Sequence, residues 1–192
     1  MPLIKDSIPS DNQCFELWDI YNMLDNVRFH SLLVADLATV LAQKAKTLGH
    51  SLCVQSVRAS ALLHDIAKSY TIKHGGSHAQ MGSSWALQAT GNRKIAQGVA
   101  LHVYWPFAMP ENMCILPFFV IYADKRSMHD TCVTLKERYD DLLIRYGKTD
   151  EHKKNIHTSY MQGIKIEKAL SVLLECDLNE YTFNSGRLVK RT

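Results

Sequence analysis

In the octet ALLHDIAK, residues 61–68, an imidazole and a carboxylate stand side by side on an otherwise apolar stretch. Burying such a pair is costly unless each group is hydrogen-bonded, ion-paired or bound to a metal. His64 and Lys68 are four residues apart and Asp65 and Lys68 three apart. One helical face can therefore present a nitrogen ligand, an oxygen ligand and a cation together. Taken alone, the octet fits a core histidine beside a surface Asp-Lys pair equally well. Two further misfits tip the balance. His30 lies on an apolar helical stripe with Val27, Val34, Leu37 and Leu41, and Asp124 follows the apolar run CILPFFVIYA, residues 114–123. Misplaced polar groups on buried helices call for a common partner. His30, His64, Asp65 and Asp124 make a mixed nitrogen and oxygen ligand set that suits a divalent transition metal, iron, manganese or zinc rather than magnesium, with positions left for water or substrate.

Helices must position these groups. Apolar residues recur with helical spacing almost throughout, and no stretch alternates as a half-buried strand does, so the predicted fold class is all-α. The spacing predicts a helix or helix pair over 15–48 stopped near Gly49, a helix over 51–68, and a loop over 69–77 containing Gly75 and Gly76. Helices over 78–89, 93–103 and 113–128 follow, the last two separated by the proline-bounded connector WPFAMP, residues 105–110. Two long amphipathic helices, over 134–146 and 150–176, meet at Gly147, and the chain from Asn179 carries no strong pattern.

Composition narrows the function classes. A chain of 192 residues with 46% apolar content can bury the core of one domain without disulfides. Its net charge of +3 is scattered, which suits a small phosphorylated substrate and gives no basic footprint for a specific nucleic acid. Five cysteines, far apart and without a C-x-x-C pair, indicate neither a disulfide framework nor a zinc knuckle, and a reducing cytoplasm is the expected home. The start, MPLIKDSIPSD, has no signal-peptide core and reads as a mature, loosely ordered terminus. The ten-residue apolar run over 114–123 falls short of the about 20 residues that a membrane span needs.

The order H…HD…D, with HDIAK after an alanine- and leucine-rich helix and ADK late in the chain, resembles the HD-domain metal-dependent phosphohydrolase superfamily over about residues 27–126. The resemblance implies a helical bundle around a divalent metal, with His30, His64, Asp65 and Asp124 as ligands. It divides one domain, 1–192, into an HD-type metal-binding core over 20–130, a C-terminal helical extension over 131–178 and a tail over 179–192. Members that hold two metals use further histidines at the places of His78 and His102, with the motif aspartate, here Asp65, bridging. Lys68 is placed to contact a substrate phosphate or assist proton transfer, and Arg126 to bind phosphate; Lys125 is either a second phosphate contact or a solvated side chain. The branch that cleaves symmetrical diadenosine tetraphosphate usually has a His-Thr pair and glycine after the fourth histidine. This chain runs HVYWPF there, so that substrate is not carried over.

The implied activity is hydrolysis of a phosphomonoester or phosphoanhydride, with a nucleotide as the expected substrate and Asp65 and Lys68 as the catalytic pair. The alternative is a metal-containing nucleotide-sensing module without turnover. The glycine-bearing loop over 69–77 is expected to fold over the substrate. Leu135, Tyr139, Leu142, Leu143 and Tyr146 on the first C-terminal helix either close the core or form a homodimer surface. His50, His152 and His157, in polar surroundings, are expected at the surface.

Overall fold

A computed structural model describes residues 6–184 and 186–191. The fold is all-α: among the described residues, strands form two small antiparallel hairpins. Helix α1 (Asp11–Ile20) starts at a capping box between Ser10 and Gln13. The long α2 (Asp25–Thr47) buries Val27, Val34, Leu37 and Leu41 along one face, and α3 (Val54–Leu63) packs beside it with Val57, Ala61 and Leu62 inward. The Trp18 indole N–H donates to Leu62 O at 2.9 Å and pins α1 across α3. Then come α4 (Lys68–His74), α5 (His78–Thr90), α6 (Arg93–Leu101) and α7 (Leu116–Arg126). Gly91, at φ 66°, supplies the left-handed stop of α5, and Asn92 caps α6 through the Lys94 and Ile95 amides.

The chain leaves the predicted pattern at three places. The helix expected over 51–68 breaks at its most interesting point. From His64 to Lys68 the backbone closes on the residue three back (His64 N to Ala61 O, Ile66 N to Leu63 O, Lys68 N to Asp65 O), a tight turn between α3 and α4. The loop expected over 69–77 is mostly α4, because Ser69 is buried and its hydroxyl accepts the Leu24 amide at 2.8 Å, tying this segment to the start of α2. Only residues 75–77 remain as connector, and Gly75 at φ 78° makes the exit. Beyond Asn179 the described residues form a hairpin: β3 (Tyr181–Asn184) pairs with β4 (Arg187–Lys190), with Phe183 and Leu188 against the core.

A small hairpin, β1 (Ser127–Met128) with β2 (Thr131–Cys132), turns the chain after α7 into α8 (Leu135–Tyr146) and α9 (Asp150–Leu173). On α8 the sequence left two roles open, and only the first turns close the core. Leu135 and Tyr139 are buried, whereas Leu143 and Tyr146 are exposed. Among the described residues no helix is long and apolar enough to cross a membrane.

Where α6 crosses α3, closeness depends on Gly98. A Cβ there would stand 2.1 Å from Ser60 Oγ and 2.4 Å from Leu116 Cδ2. Ser60 cannot swing away freely, since its hydroxyl donates to Ile95 O at 3.1 Å. Gly98→Ala is therefore expected to cost about 1–3 kcal/mol of stability, read as a lower urea midpoint with unchanged slope. A wild-type midpoint would contradict this packing.

Candidate metal centre

Five elements deliver polar side chains to one point in the core. His30 comes from the second turn of α2, His64 and Asp65 from the turn after α3, and His78 from the first residue of α5. His102 comes from the end of α6 and Asp124 from the last turn of α7. Lys68 opens α4 beside them. His64, Asp65 and His102 are almost fully buried and form the floor; His30, Asp124, His78 and Lys68 are partly exposed and mark the open side.

Asp65 is the hub, and its two oxygens serve different partners. Oδ2 lies 3.3 Å from His64 Nε2, 3.9 Å from His30 Nε2 and 2.6 Å from Lys68 Nζ. Oδ1 lies 3.3 Å from His78 Nε2 and 3.6 Å from His102 Nε2. Two compact donor groups result: His30, His64 and Asp65, and Asp65, His78 and His102. Asp124 Oδ1 flanks the first, 3.0 Å from His30 Nε2 and 3.8 Å from His64 Nε2.

The histidine tautomers are set from behind. His64 Nδ1–H donates to Ala61 O and His102 Nδ1–H to Val99 O, each at 2.7 Å. In the neutral ring this leaves Nε2 as a lone pair aimed into the centre, the arrangement that metal-binding histidines use. Burial lowers the His78 pKa to about 4, so it too offers a lone pair at neutral pH. Its Nε2 stands 3.1 Å from the lone pair of His102 Nε2, close enough for the two rings to share one proton, and a metal ion would take that proton's place.

The carboxylates supply the opposite charge. Burial works against their ionised forms, but the surrounding imidazoles outweigh it and hold both Asp65 and Asp124 well below the ordinary range. For His64, burial opposes the imidazolium and Asp65 and Asp124 favour it; the carboxylates prevail and raise its pKa. That attraction for a proton is equally an attraction for a divalent cation. His64 Nε2 and Asp65 Oδ1 are fully buried without any hydrogen-bond partner. Such orphans are expensive, and a metal ion would satisfy both. The donor set fits a divalent ion on each side of Asp65.

The family model for the HD domain matches residues 27–135, more than half of the chain. The chain belongs to the HD-domain superfamily of metal-dependent phosphohydrolases. All six HD-domain ligand candidates fall within the matched segment. The chain is also 30% identical over 108 residues to "Ribonuclease Y" from Protochlamydia amoebophila (strain UWE25), an alignment that spans 50% of this chain and 20% of that protein. No solved structure is a significant match.

Two basic residues beside the HD-domain ligands depart from expectation. Arg126, whose place near Asp124 makes it a phosphate candidate, is buried with its donors already spent. Nη1 donates to Leu178 O at 2.9 Å and to the Tyr122 hydroxyl, Nη2 to Tyr181 O at 2.7 Å, and Nε to Val133 O, with Glu167 Oε2 3.4 Å away. It braces the C-terminal segment and faces no substrate. Arg126→Ala would remove the cation facing the half-buried Glu167, a donor from the carbonyls of Val133, Leu178 and Tyr181, and the packing of the buried side chain, with an expected loss of about 2–5 kcal/mol, checked by chemical denaturation.

Lys125 is likewise buried, which lowers its pKa to about 8. Its ammonium donates to Val103 O and Ser159 Oγ, each at 2.9 Å, fastening the strand of chain after His102 to α9. Of the outlying histidines, His152 and His157 are exposed, while His50 is half-buried with Nε2 3.2 Å from Leu173 O. Sequence reasoning missed the carbonyls of Ala61 and Val99; their only signal is a position three residues before a histidine at a helix end. A cleft of about 1210 Å³ lined by Cys53, Asn92, Arg93 and Cys114 shares no residue with the centre. The chemistry, and not cavity size, locates the site.

Proposed function

We propose that the chain hydrolyses a phosphomonoester or phosphoanhydride of a nucleotide at a centre for two divalent ions bridged by Asp65. The observation that carries this reading is the division of Asp65, with Oδ2 toward His30 and His64 and Oδ1 toward His78 and His102. His30, His64, Asp65 and Asp124 would hold one ion, and Asp65, His78 and His102 the other. Bound divalent ions supply Lewis acidity, bringing the pKa of water down toward ~7 and neutralising phosphoryl charge.

The chain's own groups do the rest. Ala61 O and Val99 O hold the His64 and His102 rings in their donor tautomers, so no reorientation is needed as substrate arrives. Asp65 stays ionised at neutral pH. Burial disfavours the Lys68 ammonium, but Asp65 more than offsets this and raises its pKa, so Lys68 carries its charge throughout. From 2.6 Å beside Asp65 it can meet a phosphoryl oxygen and stabilise the charge that grows there in the transition state. A cytoplasmic setting accords with five free thiols, and the exposed Ile144 and Tyr146 of α8 leave room for a homodimer.

The test is hydrolysis, read by chromatography of the products, of a panel of nucleoside monophosphates, dinucleoside polyphosphates and alarmones, with cyclic dinucleotides and a short RNA as phosphodiester comparisons. Manganese, iron, cobalt or magnesium is supplied in turn. Turnover of at least one nucleotide with a transition metal supports the reading. Stoichiometric metal with no turnover of any of them would sink it.

A further inference from the structure

His102 stands at the end of α6, and the chain that follows it, residues 103–115, forms neither helix nor strand. A ligand at a helix end keeps its place only if the chain beyond it is held, because helix ends fray. Among the described residues, residues 103–112 make no hydrogen bond between backbone groups. Side chains from other elements hold them instead. Lys125 Nζ donates to Val103 O at 2.9 Å. Gln162 takes both backbone groups of Trp105: the Trp105 amide donates to Gln162 Oε1 at 2.9 Å, and Gln162 Nε2 donates to Trp105 O at 2.7 Å. The Trp105 ring is buried against Phe118 of α7, with centroids 4.8 Å apart.

Helix α9 reaches this connector along one face. Ser159, Gln162, Gly163 and Ile166 are spaced i, i+3, i+4 and i+7. Ile166 is fully buried, Ser159 Oγ receives Lys125 Nζ at 2.9 Å, and a Cβ on Gly163 would stand only 3.5 Å from Lys125 Cδ. Lys125 follows Asp124 and Val103 follows His102, so their hydrogen bond ties together the residues just after two ligand candidates on different sides of Asp65. Gln162 grips the same connector two residues further along. All of α9 lies beyond residues 27–135, the segment that matches the family model. The His102 side of the centre is thus held in part from outside that segment.

We propose that Gln162 is a positioning residue of the two-ion centre: by holding the Trp105 backbone it fixes the chain leaving His102, and so governs how tightly the ion of Asp65, His78 and His102 is bound. This rests on the two-ion reading above. Among the described residues Gln162 hydrogen-bonds to none of the ligand candidates and acts through the connector. An amide suits the task, since one group offers an acceptor to the Trp105 N–H and a donor to the Trp105 carbonyl. The ion of His30, His64, Asp65 and Asp124 draws its donors from α2, the turn after α3, and α7, and is expected to be indifferent to Gln162.

The test is manganese titration of the stripped full chain, with bound metal counted. The wild-type chain is expected to take two ions. Gln162→Leu removes both hydrogen bonds at similar volume; it should bind the tighter ion within about twofold of wild type and the second about tenfold more weakly, the lower end of what outer partners of metal ligands contribute. In the one-ion His78→Ala background, Q162L should leave the remaining affinity unchanged. Equal weakening of both ions, weakening of the ion that remains in H78A, or two intact affinities whatever the melting temperature overturns the proposal and leaves Gln162 a brace for the connector. If Q162L does not fold, Gln162→Met, whose flexible chain fills the same space without either bond, takes its place with the same expectation; a chain that folds with neither is equally contrary. A wild-type chain that binds fewer than two ions defeats the two-ion reading itself.

Discussion

Asp65→Asn is expected to leave a folded chain that has lost metal and at least about 10²–10³-fold in turnover, the scale set by removing one preorganised electrostatic group. Asparagine keeps the shape and removes the charge. Both donor groups then fail together, because the same carboxylate belongs to each. Loss is expected for both ions, not one, and metal analysis of the purified variant checks it. His78→Ala, by contrast, removes a donor from one group and is expected to leave one ion per chain. The two variants also separate catalysis from sensing. A sensor would keep nucleotide-dependent stabilisation in D65N while having no turnover to lose, and an enzyme loses its turnover.

Stripping the metal is expected to cost the protein several degrees of thermal stability. A ligand present at 100 times its Kd stabilises by about 2.7 kcal/mol, and in a chain of this size each kcal/mol moves Tm by roughly 2–4 °C. A fall of about 5–10 °C in chelator, reversed on adding manganese, is the expected result by calorimetry. Its structural origin is the burial of His64 Nε2 and Asp65 Oδ1 without partners. A melting temperature indifferent to chelator would mean that these atoms are reconciled to burial in some other way.

What the sequence disclosed follows from where each signal resides. His30 and Asp124 were legible because each interrupts an apolar pattern, and a polar group on a buried helix face announces a partner. The helices were legible for the same reason in reverse, since periodicity is a property of neighbouring residues. The break at His64 was not. Residues 61–68 keep helical periodicity through a turn that closes three residues back, and hydrogen bonding distinguishes that turn where residue type does not. Helix α4 was hidden by its polar composition, and its anchor, Ser69 on Leu24, spans two distant parts of the chain. Arg126 shows the same limit. A cation close to a ligand reads alike whether its fork is open to substrate or filled by carbonyls of Leu178 and Tyr181, more than fifty residues onward. The segment over 179–192 hid its hairpin because each strand spans only four residues, with at most half of its side chains turned to the core.

Phosphoryl hydrolysis is proposed to depend on two ions at the Asp65 hub. The most direct measurement is product formation from the nucleotide panel, read by chromatography, as manganese is titrated into stripped protein, with bound metal counted in the same samples. Turnover should climb as binding approaches two ions per chain, vanish in chelator and stay absent in D65N at every metal concentration. Two bound ions without hydrolysis of any nucleotide, or hydrolysis that persists in chelator, would contradict the account.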